Sequence, residues 1–281
     1  MSTMMRIENA LTVALAEADN DPCPPGLGEA MRYAVFPAGG RIRPRLTVAV
    51  ATACGDSAPV AADSAAAAIE LLHCASLIHD DLPCFDNAAT RRGKPAVHVA
   101  YGERLAVLAG DALIVQAFET IGRAATDAAA RMPLLLRTIS RSVGLPGGIV
   151  AGQAWECEDR VALDAYEQAK TGSLFAAASE VGAIAAGMEA APWRALGAQL
   201  GEAYQVADDI RDVASTAEAL GKPIGQDEEN DRPSAVRQFG VAGAKARVEN
   251  LVEAAVESIP ECPGQDALRK QIRAEAKAFL P

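Results

Sequence analysis

Aromatic residues make up only 4% of the 281 residues, and histidine is rarer still, with His73, His79 and His98 the only three. The six cysteines (Cys23, Cys54, Cys74, Cys84, Cys157, Cys262) form no C-x-x-C pair. These scarcities exclude a zinc-ribbon module and a small disulfide scaffold, and the cysteines read as reduced, mostly buried thiols of a cytoplasmic protein. Positive charge is also short, with 26 Lys and Arg against 37 Asp and Glu and a net charge of -11. A general binder of duplex nucleic acid would be basic, so that class is excluded. No uncharged apolar run reaches about 18 residues, so no membrane span is expected. The start, MSTMMRIENALTVALAEADND, lacks a basic region followed by a sustained apolar stretch and does not read as a signal peptide. Nothing alternates with period two over a convincing length, which argues against an extensive sheet.

What the chain does have is alanine and helical periodicity. Half of its residues are hydrophobic, enough for a deep core. At about 150 residues per domain the length allows two domains or one large one. No internal repeat and no low-complexity linker divides it, so residues 1–281 are read as a single domain. A first helix is expected over Met4–Asp19, a second from Pro25, and a loop over Pro37–Pro44 leads into an apolar helix ending near Cys54. A long, nearly all-apolar helix is expected over Ala61–Phe85, kinked or ended by Pro83. Further helices are read at Arg104–Ala125, Ala128–Val143, Ile149–Cys157, Ser173–Met188, Trp193–Ser215, Ala242–Ser258 and Gln265–Phe279. Helices that are apolar almost all round lie inside a bundle, so the fold is read as all-α.

Two aspartate clusters stand out against this background. Asp80, Asp81 and Asp86 lie in DDLPCFD, and Asp208, Asp209 and Asp212 in DDIRD. Asp208 and Asp212 are four apart and share a helix face, with Gln205 one turn earlier. One such cluster is most often a solvated acidic face. Two, each closing a long apolar helix, point to a bound cation, because clustered carboxylates repel one another. Hard oxygen donors of this kind suit Mg²⁺, which keeps waters and bridges to substrate phosphates. Structural zinc is excluded by the lack of His or Cys at ligand spacing.

Cations occupy short segments near these acids. Arg41, Arg43 and Arg45 lie in GGRIRPR; Arg91, Arg92 and Lys94 follow the first acidic cluster; Lys170 opens KTGS; and Lys222 follows the second cluster in a Gly/Pro loop. Arginine forks match phosphate oxygens. The order basic loop, acidic helix end, basic loop, then acid and base again, suits one diphosphate bridged by metal and another bound directly. His73 lies seven residues before Asp80, so the two share a helix face.

Together these segments resemble the trans-isoprenyl diphosphate synthases, the polyprenyl synthetase family. GGRIRP is similar to the family's GGKRxRP, and LLHCASLIHDDLPCFD with RRGKP to its first aspartate-rich region. KTGSLF, YQVADDIRD and GKPIGQD follow in the family's order. The likeness spans nearly the whole chain and is greatest to the bacterial geranylgeranyl diphosphate synthases of carotenoid and bacteriochlorophyll pathways. It implies a single large antiparallel helical bundle around a deep central cavity, of the isoprenoid synthase type, working as a cytoplasmic homodimer. It also implies Mg²⁺-dependent condensation of isopentenyl diphosphate with an allylic diphosphate, with three ions per active site once diphosphate is bound.

The resemblance assigns roles residue by residue. Asp80, Asp81, Asp86, Asp208, Asp209 and Asp212 would hold the metal. Arg91, Lys170 and Lys222 would clamp the allylic diphosphate, with Thr171 and Gln205 near the developing cation. Arg43, His73 and Arg92 would bind isopentenyl diphosphate. Ala75 and Ser76, small and one turn before the first motif, would leave the floor of the chain-elongation channel open. With the Pro83–Cys84 insertion they imply a C20 product. One departure is that Gly40 stands where the family has lysine, which removes a cation from the isopentenyl site. The readings weighed against C20 synthesis are a C15 or longer-chain synthase, a catalytically weak paralog regulating a partner synthase, and a class I terpene cyclase. A cyclase has no need of a second diphosphate site, and a pure binding subunit has no need of two acidic motifs.

Overall fold

Alanine sets how closely the helices of this protein approach. The computed structural model describes residues 1–19, 22–36, 39–158, 168–214, 235–277 and 279. Thirteen α-helices appear among them. They are α1 (Thr3–Ala14), α2 (Pro25–Val35), α3 (Ile42–Ala53), α4 (Pro59–Asp80), α5 (Val97–Tyr101), α6 (Glu103–Gly122) and α7 (Ala125–Ala128). α8 (Met132–Val143), α9 (Ile149–Trp155), α10 (Ser173–Ala185), α11 (Arg194–Ala214), α12 (Ala235–Glu257) and α13 (Gln265–Ala276) complete the set. Strand among the described residues is confined to one two-residue ribbon, β1 (Thr90–Arg91) paired antiparallel with β2 (Lys94–Pro95).

α4 and α10 form the inside of the bundle. Every residue of α10 except Glu180 is buried. α10 packs against α3, α11 and α8, and α4 against α6, α3 and α10. The close approach depends on missing side chains. A Cβ on Gly182 of α10 would stand 2.4 Å from the Thr47 carbonyl oxygen of α3, and one on Gly197 of α11 2.2 Å from that of Phe175. The Thr47 hydroxyl then donates to the Ala178 carbonyl at 2.9 Å, a polar stitch between two otherwise apolar helices. One continuous apolar cluster runs from Ile7 to Phe279.

Several boundaries differ from the sequence expectation. α1 ends at Ala14 and gives way to a 3₁₀ turn at Ala16–Asp19. The long central helix ends at Asp80 rather than Phe85, so Pro83 lies beyond the helix and does not kink it. Instead the chain curls back, with the amide of Asp86 donating to the carbonyl of Asp80 at 2.9 Å. The expected helix at Ala128–Val143 is a short α7, a 3₁₀ turn and α8. α12 starts at Ala235 and is interrupted at Gly240 (φ 69°), so its regular part resumes where a helix was expected. α4 and the stretch Glu103–Val143 are long and apolar enough to cross a membrane by composition alone. α4 is mostly core, whereas α6 leaves Leu108 (53%) and Val115 (68%) exposed.

Candidate active site

The first acidic motif is built by the end of α4 and the turn after it. Asp80 and Asp81 are both buried. Buried carboxylates need partners, and each has a different one. Arg91, on β1, pairs with Asp81 through both Nε and Nη2. Burial raises the Asp81 carboxyl above the usual carboxylate range, an effect Arg91 opposes. Asp80 accepts from Gln153 Nε2 at 2.9 Å and lies 3.5 Å from the ammonium of Lys170, which Glu156 also holds at 2.6 Å. Gln153 and Glu156, on and just after α9, were not singled out from sequence. The segment GQAWE carries no charge pairing that shows in one dimension, and only the folded chain brings Gln153 to Asp80 and Glu156 to Lys170.

The second motif lies near the C-terminus of α11. The hydroxyl of Thr171 donates to Gln205 Oε1 at 3.0 Å, and Gln205 Nε2 donates to Asp209 Oδ1 at 3.1 Å. Asp209 is buried, and its second oxygen accepts the amide of Ala235 at 2.8 Å. Asp208 pairs with Arg211 one turn on at 3.3 Å. Asp212 is half-buried on the same helix face as Asp208. A single turn of π-helix, Gln168–Gly172, carries Lys170 toward the first motif and Thr171 toward the second. The two acidic helix ends therefore meet opposite sides of one short segment. Lys222 lies outside the described residues.

Beside α4, about two to three turns before its acidic end, sits a cationic cluster. Arg92 and Gly93 both have positive φ (54° and 75°), as a tight two-residue hairpin turn requires. This turn brings Arg92 against Gly39, where a Cβ would stand 2.9 Å from the guanidinium carbon. Arg43, in the first turn of α3, lies 4.4 Å over the Phe175 ring, and its buried Nε has no hydrogen-bond partner among the described residues. Burial pulls the Arg43 guanidinium below its ordinary value. Burial, then Arg43, Arg92, Arg91 and Arg41, hold His73 well below 6.5, so its imidazole is neutral near pH 7. Arg43, His73 and Arg92 are thus brought together along the same face of α4 as the acids, about two turns before Asp80.

Other cations of the same segments do different work. Lys94 donates to the carbonyls of Tyr33 (2.7 Å) and Phe36 (2.8 Å) and stands over the Tyr33 ring, tying the hairpin to the end of α2. Arg45 pairs with Glu275 of α13 at 2.7 Å. Gly40 is exposed in the loop before α3. Ala75 is buried on the stripe that includes His79, which packs on Gly110 of α6. Ser76 shares the Asp80 stripe, and its carbonyl also faces Gln153 at 3.5 Å.

Among the described residues no three of these side chains close into a ready-made metal cage. The donor set still fits a hard cation. The oxygens of Asp80 already face an ammonium, and Mg²⁺ completes its shell with water and substrate phosphates rather than with an all-protein cage.

A helical bundle in which two acidic helix ends meet one short segment, with an arginine cluster beside one of them, is a fold of the isoprenoid synthase type. Residues 24–268 match the polyprenyl synthetase family model, and the chain belongs to that family. It is 53% identical over 281 residues to a geranylgeranyl diphosphate synthase of Cereibacter sphaeroides, covering 100% of this chain and 98% of that one. It is 37% identical over 246 residues to a farnesyl diphosphate synthase of Geobacillus stearothermophilus, covering 83% and 81%. Among solved structures, a Helicobacter pylori geranyltransferase complexed with magnesium and isoprenyl diphosphate superimposes with a TM-score of 0.80 at 28% identity, covering 99% and 98%.

Proposed function

We propose that this protein is a prenyl chain-elongating transferase that joins isopentenyl diphosphate to allylic diphosphates and stops at C20, geranylgeranyl diphosphate. The observation that carries the reading is the succession of two unlike clusters along one face of α4, acidic at its C-terminal end and cationic about two turns earlier. One is lined with carboxylates and suited to a metal-bridged diphosphate; the other is lined with Arg43, His73 and Arg92 and suited to direct binding. The full-length likeness to geranylgeranyl diphosphate synthases supports C20 as the endpoint.

Mg²⁺ held by Asp80, Asp81 and Asp86, and by Asp208, Asp209 and Asp212, would supply the positive charge that a departing diphosphate needs; three ions per site is the count this reading takes. The protein's own part is positional. Arg91 and Lys170, with Lys222, contribute cations to the leaving diphosphate as the allylic C–O bond breaks. Thr171 and Gln205 present oxygens beside the resulting carbocation. Arg43, His73 and Arg92 hold isopentenyl diphosphate so that its double bond faces that carbon. The π electrons form the new C–C bond, and the adjacent C–H then gives its electrons to a new double bond and its proton to the released diphosphate. The exposed Leu108 and Val115 on α6 support a homodimer, and the cytoplasm is the proposed compartment.

The test is turnover of labelled isopentenyl diphosphate with Mg²⁺ and C5, C10 or C15 allylic starters, sizing the dephosphorylated products. A C20 product that vanishes with EDTA is the expected result, and no product from any starter overturns the reading. Ala75→Phe and Ser76→Phe should shorten the product toward C15. An unchanged C20 yield from both would remove the open-floor account of chain length.

A further inference from the structure

Glu70 interrupts the most apolar stretch of the chain. It lies at the middle of α4, 2% exposed, between Ile69 and Leu71. A carboxylate there must be paired, because an unpaired buried charge is strongly destabilising. It holds Arg41 Nη1 at 2.7 Å and faces Arg92 Nη2 at 3.9 Å.

Arg41 is not a ligand for substrate. Its side chain is fully buried, and each arm is committed: Nε to Glu8 at 2.9 Å, Nη1 to Glu70, and Nη2 to the Val35 carbonyl at 2.9 Å. Its backbone is in the left-handed region (φ 49°) at the N-cap of α3. Such a conformation in a non-glycine residue persists only where the surroundings hold it. The side chain of Arg41 therefore pins the start of α3. Two residues on, about 200° around the helix, Arg43 is aimed the other way, over Phe175 with an unsatisfied Nε–H. Arg92 is likewise in a left-handed conformation, at the hairpin tip, with Glu70 as a carboxylate within ion-pair reach. Glu8 and Glu70 are taken up by Arg41, so Arg43 and Arg92 keep most of their charge for an anion. Cys74, one turn after Glu70, is pushed up to about 12 by burial and then by Glu70, so it adds no charge at neutral pH.

We infer that Glu70 is a positioning residue for the isopentenyl diphosphate pocket, setting Arg43 through the Arg41 anchor and Arg92 through direct attraction. This rests on the function proposed above. It explains how the pocket is ordered although Gly40 contributes no cation. It also makes a counterintuitive prediction. A carboxylate that acted on the anion only through its charge would repel it, so its removal would tighten binding. A positioning carboxylate, once removed, weakens binding although the pocket becomes more positive.

The test is calorimetric binding of isopentenyl diphosphate in EDTA, where turnover plays no part, to wild type and Glu70→Gln. The expected result is weakening by about tenfold, the scale of one charge-assisted hydrogen bond, with partial recovery in Glu70→Asp. With Mg²⁺, the KM for isopentenyl diphosphate should rise while that for the allylic substrate stays within about twofold. Because Glu70→Gln leaves Arg41 short of a partner, Arg41→Met/Glu70→Met, which removes the buried pair together, should fold and show the same loss. Equal or tighter binding by either folded variant overturns the inference, as does a wild type that binds no isopentenyl diphosphate in EDTA. If neither variant melts cooperatively, Glu70 holds the fold as a whole and the positioning role is overturned. Elongation by the wild type is read separately, so the proposed function stands or falls on its own assay.

Discussion

The two working stretches of α4 are opposites. At its C-terminal end, carboxylates are in excess and cations come from elsewhere: Arg91 to Asp81, Lys170 to Asp80. One to three turns earlier, cations are in excess and a single buried carboxylate, Glu70, organises them. A protein of net charge -11 cannot present a uniformly attractive surface to two diphosphates. In the proposed reading it divides the task, with the acidic cluster taking divalent metal and the cationic one needing none. α4 supplies anchors to each, Asp80 and Asp81 to the first and Glu70 and His73 to the second, so these anchors are spaced by its rise of about 1.5 Å per residue.

The sharpest way to break this comparison is to remove one side. Asp80→Ala should lower turnover by ~10³-fold, the scale seen when one preorganised electrostatic contact to a reacting group is lost. Metal-free binding of isopentenyl diphosphate should change less than about twofold. Steady-state rates and calorimetry on one preparation check both, and parallel losses would mean that the two sites are a single site.

A second break is structural. Arg91→Met strands the buried Asp81 carboxylate and should cost about 2 kcal/mol of stability, less than a fully buried pair because Arg91 is partly exposed. Urea midpoints read the loss, and an unchanged midpoint would make that pair a surface contact in effect.

The smallest effect belongs to the basic side. His73 has a folded pKa below the 6.5 of an unfolded chain, through burial and then the surrounding arginines. As pH falls, the unfolded state takes up the proton first, so this contribution is intact above pH 6.5 and is lost as pH falls toward the folded value. At about pH 5.5 the loss should reach roughly 1 kcal/mol. His73→Gln should be free of it, which chemical denaturation at the two pH values will read. A wild-type curve parallel to that of His73→Gln would mean that the imidazole is solvated.

Much of the candidate site was legible because its motifs are local in sequence. Paired aspartates at helix ends, RRG beside one of them and KTGS between them could be named before any fold was known. Glu70 was not singled out, because a lone acid inside AAAAIELLHCAS shows no partner in one dimension. The contacts of Gln153 and Glu156 were not legible, since they depend on where the fold sets α9 relative to Asp80 and Lys170. Neither was the division of labour among GGRIRPR, where Arg41 is an anchor, Arg43 lies over Phe175 and Arg45 pairs with Glu275 of α13.

Composition and periodicity alone determined that the chain is helical and that its core helices are apolar all round; that its clustered carboxylates and arginines act on diphosphate is what the motif resemblance implies. The first two follow from residue type and spacing along one helix. The end of α4 at Asp80, the curl that returns Asp86 to it, and the left-handed turn that swings Arg92 onto Gly39 were decided only in three dimensions. So was the anchoring of Arg41 by Glu8 and Glu70. Each of these closes a contact between segments distant in sequence, or sets a backbone angle that no local preference favours, and burial is what makes such contacts strong enough to hold.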